Sequence, residues 1–352
     1  MMMLARVQLV ALVIGVLILF LKNPVADLSF WIIESGSEVE RYTRVYYDIR
    51  IYTAPAVLAL YGLNGWFLGM QNATFPMIVT IVLNLLNIVL NVWFIYGLGM
   101  HVDGVAYGTL ISTYAALALG AGLFRYQYRR YFLHFVSEEL IDTESLKQFF
   151  SVNRDIFIRT LCLIFTFSFF TAKSAEQGDL VLAANTILLQ LWMVASYGID
   201  GFAYAAESMV GRFKGASDKK LLKKSVYYNL VWGLSIGAVG SVAYGLFDEQ
   251  ILTLFTDKQQ VIDLALSVVF WTVLAPFISS ICYILDGVFI GATATGPMRN
   301  TMLVSTFLFF LPVYYIGTAL VGVHGLWIAM VLFMAVRGIA LSFYLPGRVL
   351  NS

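Results

Sequence analysis

Ten runs of about 18 or more mostly apolar residues, separated by short polar stretches, set the pattern of this chain. They fall near 5–21, 47–70, 75–97, 104–124, 156–173, 180–205, 226–247, 261–290, 301–321 and 325–345. A helix of that length rises about 27 Å, close to the hydrocarbon thickness of a bilayer. Each run therefore predicts a membrane-crossing helix, and the chain as a whole an all-α polytopic membrane protein. In the first run Arg6 precedes an apolar core, as it would in a signal peptide. That core continues unbroken from Val7 to Leu21 with no small-residue cleavage site after it, so a retained helix is expected.

Composition supports the same reading. Apolar residues make up 60% of the 352 and charged residues 12%, about half the charge that a soluble domain carries. The net charge of +1 argues against a nucleic-acid partner. Cys162 and Cys282 both lie in apolar runs and imply no disulfide framework. No phosphate-gripping loop of the G-x-x-x-x-G-K-[ST] kind occurs, which argues against an ATP-driven engine in the chain. No nucleophile–base pair or metal-ligand set favours an enzyme.

Lys and Arg are spread unevenly. Arg125, Arg129, Arg130 and Lys147 follow the fourth run, and Arg212, Lys214, Lys219, Lys220, Lys223 and Lys224 follow the sixth. The opposite side has only Lys22, Arg41, Arg44, Lys173 and Lys258. Positive charge is retained on the cytoplasmic side, so both basic stretches, and with an even number of spans both termini, are expected there. The run from Lys219 to Lys224 reads as a solvated loop touching lipid headgroups. The polar stretch 125–153 reads as a cytoplasmic linker between an amino-terminal lobe, 1–124, with four helices and a carboxy-terminal lobe, 154–352, with six.

The chain also repeats itself. Ala54-Pro55, Gly65-x-Phe67-x-Gly69, Pro76-Met77 and Val102-x-Gly104 recur as Ala275-Pro276, Gly287-x-Phe289-x-Gly291, Pro297-Met298 and Val323-x-Gly325, at an offset of 221 or 222 residues. An even number of spans separates the copies, so the halves are parallel repeats. Small residues at four-residue spacing permit close helix packing, which is the plainer reading of any one glycine. Aligned on the linker, the first lobe has two helices fewer than the second, and the sequence reads as a twelve-helix plan without its first pair.

At these residues the sequence resembles the multidrug and toxic compound extrusion (MATE) family, in its DinF branch. The first lobe has Asn84-x-x-Asn87-x-x-x-Asn91 leading into Gly104-x-Ala106-x-Gly108-Thr109. The second has Asn153-Arg154-Asp155 with Arg159, Asp200-Gly201-Phe202-Ala203-Tyr204-Ala205, Val210-Gly211-x-x-x-Gly215-Ala216-x-Asp218 and Leu285-Asp286-Gly287-x-Phe289-Ile290-Gly291. The resemblance implies a two-lobe helical bundle that expels amphipathic, often cationic organic compounds while H⁺ or Na⁺ enters, with no other cofactor. Many relatives have an Asp where this chain has Asn91, and the family's first helix, with its acidic residue, has no counterpart here.

Charge within a bilayer costs at least ~2.5–3.5 kcal/mol per group on insertion scales, so the few ionisable residues inside the runs are the sharpest local signal. They are Arg159, Asp200, Asp286 and Arg337, with Glu207 nearer a helix end. The plain reading is a set of neutralising salt bridges. The functional one is a cation-coupling site in which an Asp exchanges a proton, Asp286 ranking first, Asp200 second, and Arg159 as partner. Asn87 and Asn91, with Asn84, share a helix face and either bond between helices or line a cation site. Trp192, Met193, Tyr197 and Tyr204 lie along the helix of Asp200 and, with Tyr283, suit a greasy organic cation, although packing is the commoner duty of such residues.

The expectation is thus an exporter in the cell inner membrane, a monomer whose partners are the bilayer and small amphipathic molecules. A lipid-linked precursor flippase of similar plan is the first rival, though it calls for a more cationic centre. An inactive shortened chain is the second.

Overall fold

The computed structural model describes residues 2–32, 37–134 and 142–351. They are helical almost throughout, and no strand occurs among them. In chain order the helices are α1 (Met2–Phe20), α2 (Lys22–Ile32), α3 (Ser37–Arg50), α4 (Ala54–Gly69), α5 (Thr74–Val92), α6 (Val102–Tyr128), α7 (Thr143–Glu176), α8 (Asp179–Gly215), α9 (Lys219–Leu246), α10 (Asp248–Thr253), α11 (Gln259–Gly291), α12 (Thr295–Val304), α13 (Leu311–Val321) and α14 (Val323–Leu345). Among the described residues ten helical stretches are long and apolar enough to cross a membrane, and each contains one of the ten apolar runs or nearly all of it. Large apolar side chains such as Leu12, Leu17, Leu85, Val89, Trp232, Val239 and Phe343 stand on the outside, the arrangement expected where the solvent is lipid.

The helices outrun the apolar stretches at their polar ends. Residues 22–32 and 37–46, expected as a loop before the second run, belong to α2 and α3. The Lys219–Lys224 run is likewise not a loop but the start of α9, where the Asp218 carboxylate caps the Leu221 N–H at 2.9 Å. Arg212 and Lys214 close α8, where cations suit the negative end of the helix dipole. Of the expected linker, 125–128 belongs to α6 and 143–153 to α7, while 135–141 lies outside the described residues.

Two compact units divide the chain, Met1–Thr143 and Glu144–Ser352. In the first, Leu4, Leu63, Phe67, Phe124 and Tyr128 form a core with Trp66, whose ring meets those of Phe124 and Tyr128 edge-on. In the second, Phe170, Leu188, Trp192, Trp327, Phe310 and Phe333 are buried together. The Trp327 indole donates to Asn185 at 2.9 Å, and the Asn185 amide donates to Ser174 at 2.8 Å, so these three polar side chains are paired within the core.

The repeat has a packing basis. In the first unit Gly15 of α1 lies against the Cα and ring of Pro55 of α4; in the second, Gly237 of α9 lies against the Pro276 carbonyl and Phe277 Cα of α11. The two units part at the next element. A side-chain carbon at Gly287 would stand 2.1 Å from the Ala203 carbonyl oxygen, and one at Gly291 2.2 Å from that of Glu207, so α8 and α11 meet backbone to backbone. Their counterparts Gly65 and Gly69 have nothing within 4 Å among the described residues. No equivalent of α8 is packed on that face of α4 among those residues.

The second unit also has a charge polarity. The starts of α7, α9 and α12 and the ends of α8, α11 and α14 share one rim, as the Lys214 bond to the Ala292 carbonyl and the Arg299–Asp155 pair require. Lys147, Arg154, Arg212, Lys214, Lys219, Lys220, Lys223, Lys224, Arg299 and Arg348 all belong to it.

Candidate functional site

Asp286 is the hub of the second unit. The α8–α11 seam begins one residue after it, and its side chain lies between two guanidinium groups. Arg159 of α7 and Arg337 of α14 both donate to the same carboxylate oxygen, Oδ2, with Arg337 at 2.7 Å. Arg337 is almost wholly buried; its guanidinium lies over the Phe333 ring, 5.3 Å from the centroid, and a second nitrogen approaches the Met334 sulfur at 3.1 Å. Arg159 keeps its Nε without a partner among the described residues.

Asp200 of α8 feels the charges of both Asp286 and Arg159 yet makes no ion pair among the described residues. Two arginines and two aspartates thus stand together, a set of zero formal charge, with Glu207 further along the cavity wall. Desolvating such a set is tolerable only because its charges balance.

Two cavities flank this group. One, of about 230 Å³, is lined by Arg159, Asp200, Tyr204, Glu207, Tyr283 and Asp286 among others. The other, of about 240 Å³, is lined by Arg159, Trp192, Met193, Ser196, Tyr197, Asp200, Tyr283 and Arg337, with Leu163 and Phe167. Asp200, Arg159 and Tyr283 line both. Tyr283 is held in place by its hydroxyl, which accepts from the Trp192 indole at 3.2 Å, with the Ser196 hydroxyl at 3.4 Å.

All five aromatic and Met candidates therefore border these cavities, but not in equal ways. Trp192 is buried, with its edge at the cavity and its ring stacked on Trp327, so most of it is core. Met193, Tyr197 and Tyr204 have open faces. Ser196 escaped sequence reasoning because a serine in an apolar run is commonplace. Arg337 stood out by its charge, but its partner could not be named.

The asparagines lie in the first unit, apart from this group in the chain. The Asn87 amide donates to Thr109 at 3.0 Å and is 3.5 Å from the Ser112 hydroxyl, and the Asn91 amide donates to Asn87 at 3.2 Å. The Asn87 bonds tie α5 to α6, the plainer of the two expected roles, while the Asn91 bond lies within α5. The Asn91 Oδ1 is buried against Gly108 without a hydrogen-bond partner among the described residues. Asn84 is exposed. Replacing Asn87 by Leu is expected to cost about 0.6–2 kcal/mol of stability through the lost α5–α6 bonds, read as a lower melting temperature in detergent. An unchanged melt would mean these bonds contribute nothing.

Ten apolar helical stretches, with a neutralised ionic centre held between cavities in one unit, define a multi-pass membrane protein of transporter-like build. The chain belongs to the MatE family, whose model matches residues 2–93 and 156–316. It is 37% identical over 343 residues to DNA damage-inducible protein F of Escherichia coli (strain K12), covering 95% of this chain and 72% of that protein. It is 25% identical to Protein DETOXIFICATION 44, chloroplastic, of Arabidopsis thaliana, covering 85% of this chain but only 56% of the relative. Among solved structures, an outward-facing multidrug resistance MATE family transporter superposes with a TM-score of 0.89 at 20% identity, covering 99% of this chain and 78% of that one. This last likeness concerns the fold.

Proposed function

We propose that the chain works in secondary active efflux, exporting amphipathic organic cations in exchange for protons. The observation that carries this reading is the neutral group Arg159, Asp200, Asp286 and Arg337 beside a cavity walled by Trp192, Met193, Tyr197 and Tyr283. Aromatic faces and a thioether attract a greasy cation, and an unpaired carboxylate can balance its charge.

Geometry favours Asp200 over Asp286 as the titrating residue. Two guanidinium groups engage the Asp286 carboxylate, whereas Asp200 borders both cavities without an ion pair among the described residues. Protonating Asp200 leaves the group at +1 and repels an organic cation. At 4 Å and an effective dielectric of 20, one unit charge is worth about 4 kcal/mol, or nearly three orders of magnitude in affinity. Substrate and proton thereby compete for one carboxylate. A sodium ion fits less well, because both guanidinium groups repel it while a proton is absorbed into the carboxyl group.

Asp200→Asn is expected to leave the protein folded and to lower dye efflux driven by a pH gradient about tenfold or more, in vesicles containing the purified chain. A Na⁺ gradient should drive little efflux even in the unmodified protein. Wild-type efflux by Asp200→Asn would remove Asp200 from the mechanism, and efflux driven by Na⁺ alone would replace the coupling ion.

The basic rim of the second unit supports an inner-membrane orientation with that rim, and both termini, in the cytoplasm. Single cysteines at Lys219 and Lys258 should react with impermeant reagents from opposite sides, Lys219 from the cytoplasm. Reaction of both from one side would overturn this topology.

A further inference from the structure

A third cavity, unconnected with the ionic centre, runs along the outside of α8 and α9. It measures about 350 Å³ and its surface is almost entirely apolar, walled by Phe202, Met209 and Phe213 on one side and Leu221, Tyr228 and Trp232 on the other. Its residues extend from 202 to 213 on α8 and from 221 to 232 on α9, so at 1.5 Å per residue the groove is about 16 Å long. That is close to half the hydrocarbon thickness, the depth of one leaflet. It opens at the basic rim, where α8 ends and α9 begins.

Three polar side chains interrupt the apolar lining: Asn229, whose amide donates to the Ser225 carbonyl at 2.9 Å, and, nearer that end, Lys224 and Ser225. Lys224 borders the groove with its ammonium over the Tyr228 ring, 5.6 Å from the centroid, and makes no ion pair among the described residues. Ser225, one residue further in, is only 3% exposed, and its hydroxyl has no hydrogen-bond partner among the described residues. A helical serine ordinarily satisfies its hydroxyl on the carbonyl four residues back, as Ser196 and Ser235 do here. A donor left unmade inside an apolar groove is costly unless something else accepts from it.

We propose that this groove binds one anionic, ester-linked phospholipid. The phosphate sits against the Lys224 ammonium, a glycerol ester carbonyl accepts the Ser225 hydroxyl proton, and one acyl chain lies between Phe202, Met209, Tyr228 and Trp232. The order of these groups down the groove, cation, then hydroxyl, then hydrocarbon wall, matches the order of phosphate, ester and chain in such a lipid. Lys220 and Lys223 on the same turns favour a negative headgroup. The proposal is independent of the exported substrate and of the coupling ion.

Native mass spectrometry of the purified full chain tests it, after equilibration with equal amounts of phosphatidylglycerol and phosphatidylcholine of matched acyl chains. The unmodified protein should retain phosphatidylglycerol at least about fivefold over phosphatidylcholine, and Lys224→Gln should bring the ratio near one. In a second arm, ester-linked phosphatidylglycerol competes with its ether-linked analogue, which lacks the carbonyl. The unmodified protein should prefer the ester several-fold, and Ser225→Ala should lose that preference while melting as before. Equal retention of the two headgroups by the unmodified protein, or a preference that survives Lys224→Gln, would overturn the site. A preference for the ester that survives Ser225→Ala would overturn the role given to the hydroxyl.

Discussion

Asp286→Asn should lower the stability of the second unit by about 3–5 kcal/mol, the usual cost of removing one member of a buried ionic set. The amide keeps the shape of the carboxylate but leaves Arg159 and Arg337 facing one another uncompensated. Arg337 suffers most, because its side chain is 2% exposed and cannot turn to water. Adding Arg337→Met to Asp286→Asn should recover more than half of the loss, since the second change removes the stranded charge and leaves a flexible apolar side chain. Melting temperatures of the two variants in detergent, against the unmodified protein, check this. If Asp286→Asn alone melts normally, the ionic centre is not structural. The same variant is for this reason a poor probe of coupling, and a loss of efflux in it would not separate a lost proton carrier from a damaged fold. Asp200→Asn strands no arginine and gives the cleaner answer.

The second large effect lies one residue along. Gly287→Ala puts a carbon 2.1 Å from a backbone oxygen of α8, a clash that no rotamer change relieves. The helices must part, so a cost of about 3 kcal/mol, the upper end for overpacking, is expected. Gly65→Ala at the repeated position meets nothing within 4 Å among the described residues and should stabilise α4 by up to about 1 kcal/mol through helix propensity. Opposite signs at two positions that look alike in the sequence make the comparison strict. Equal behaviour of both variants in thermal melts would show that the α8–α11 contact is not as close as described.

These residues also mark how far the sequence could be read. Spans are legible because bilayer thickness turns an apolar run directly into a helix. Their polar ends are not, because α2, α3 and the first turns of α9 are held by caps, dipoles and contacts that hydropathy does not record. The glycines repeat visibly, yet only the fold tells that Gly287 is pressed against Ala203 while Gly65 is open. Asp200 and Asp286 are likewise similar in sequence, each an acid before a Gly in an apolar helix. What separates them is rotation about the helix axis, which brings both arginines to Asp286 and leaves Asp200 at the cavities. Ranking Asp286 first followed from the repeat, and the repeat marks where helices touch. Ser225 is one of several buried hydroxyls without a partner among the described residues, and only the fold shows that it lines the apolar groove.

The seam between α8 and α11 has a mechanical consequence. Where two backbones touch with no side chain between them, no rotamer can flip to let one slide on the other, so the pair acts as a splint. Asp200 and Asp286 are carried on it at a fixed separation, like two teeth on one gear. Arg159 of α7 reaches that splint through one long, lightly exposed side chain, whereas Asp155–Arg299, Ser174–Asn185 and the buried Phe170 fasten the rest of α7 to the unit.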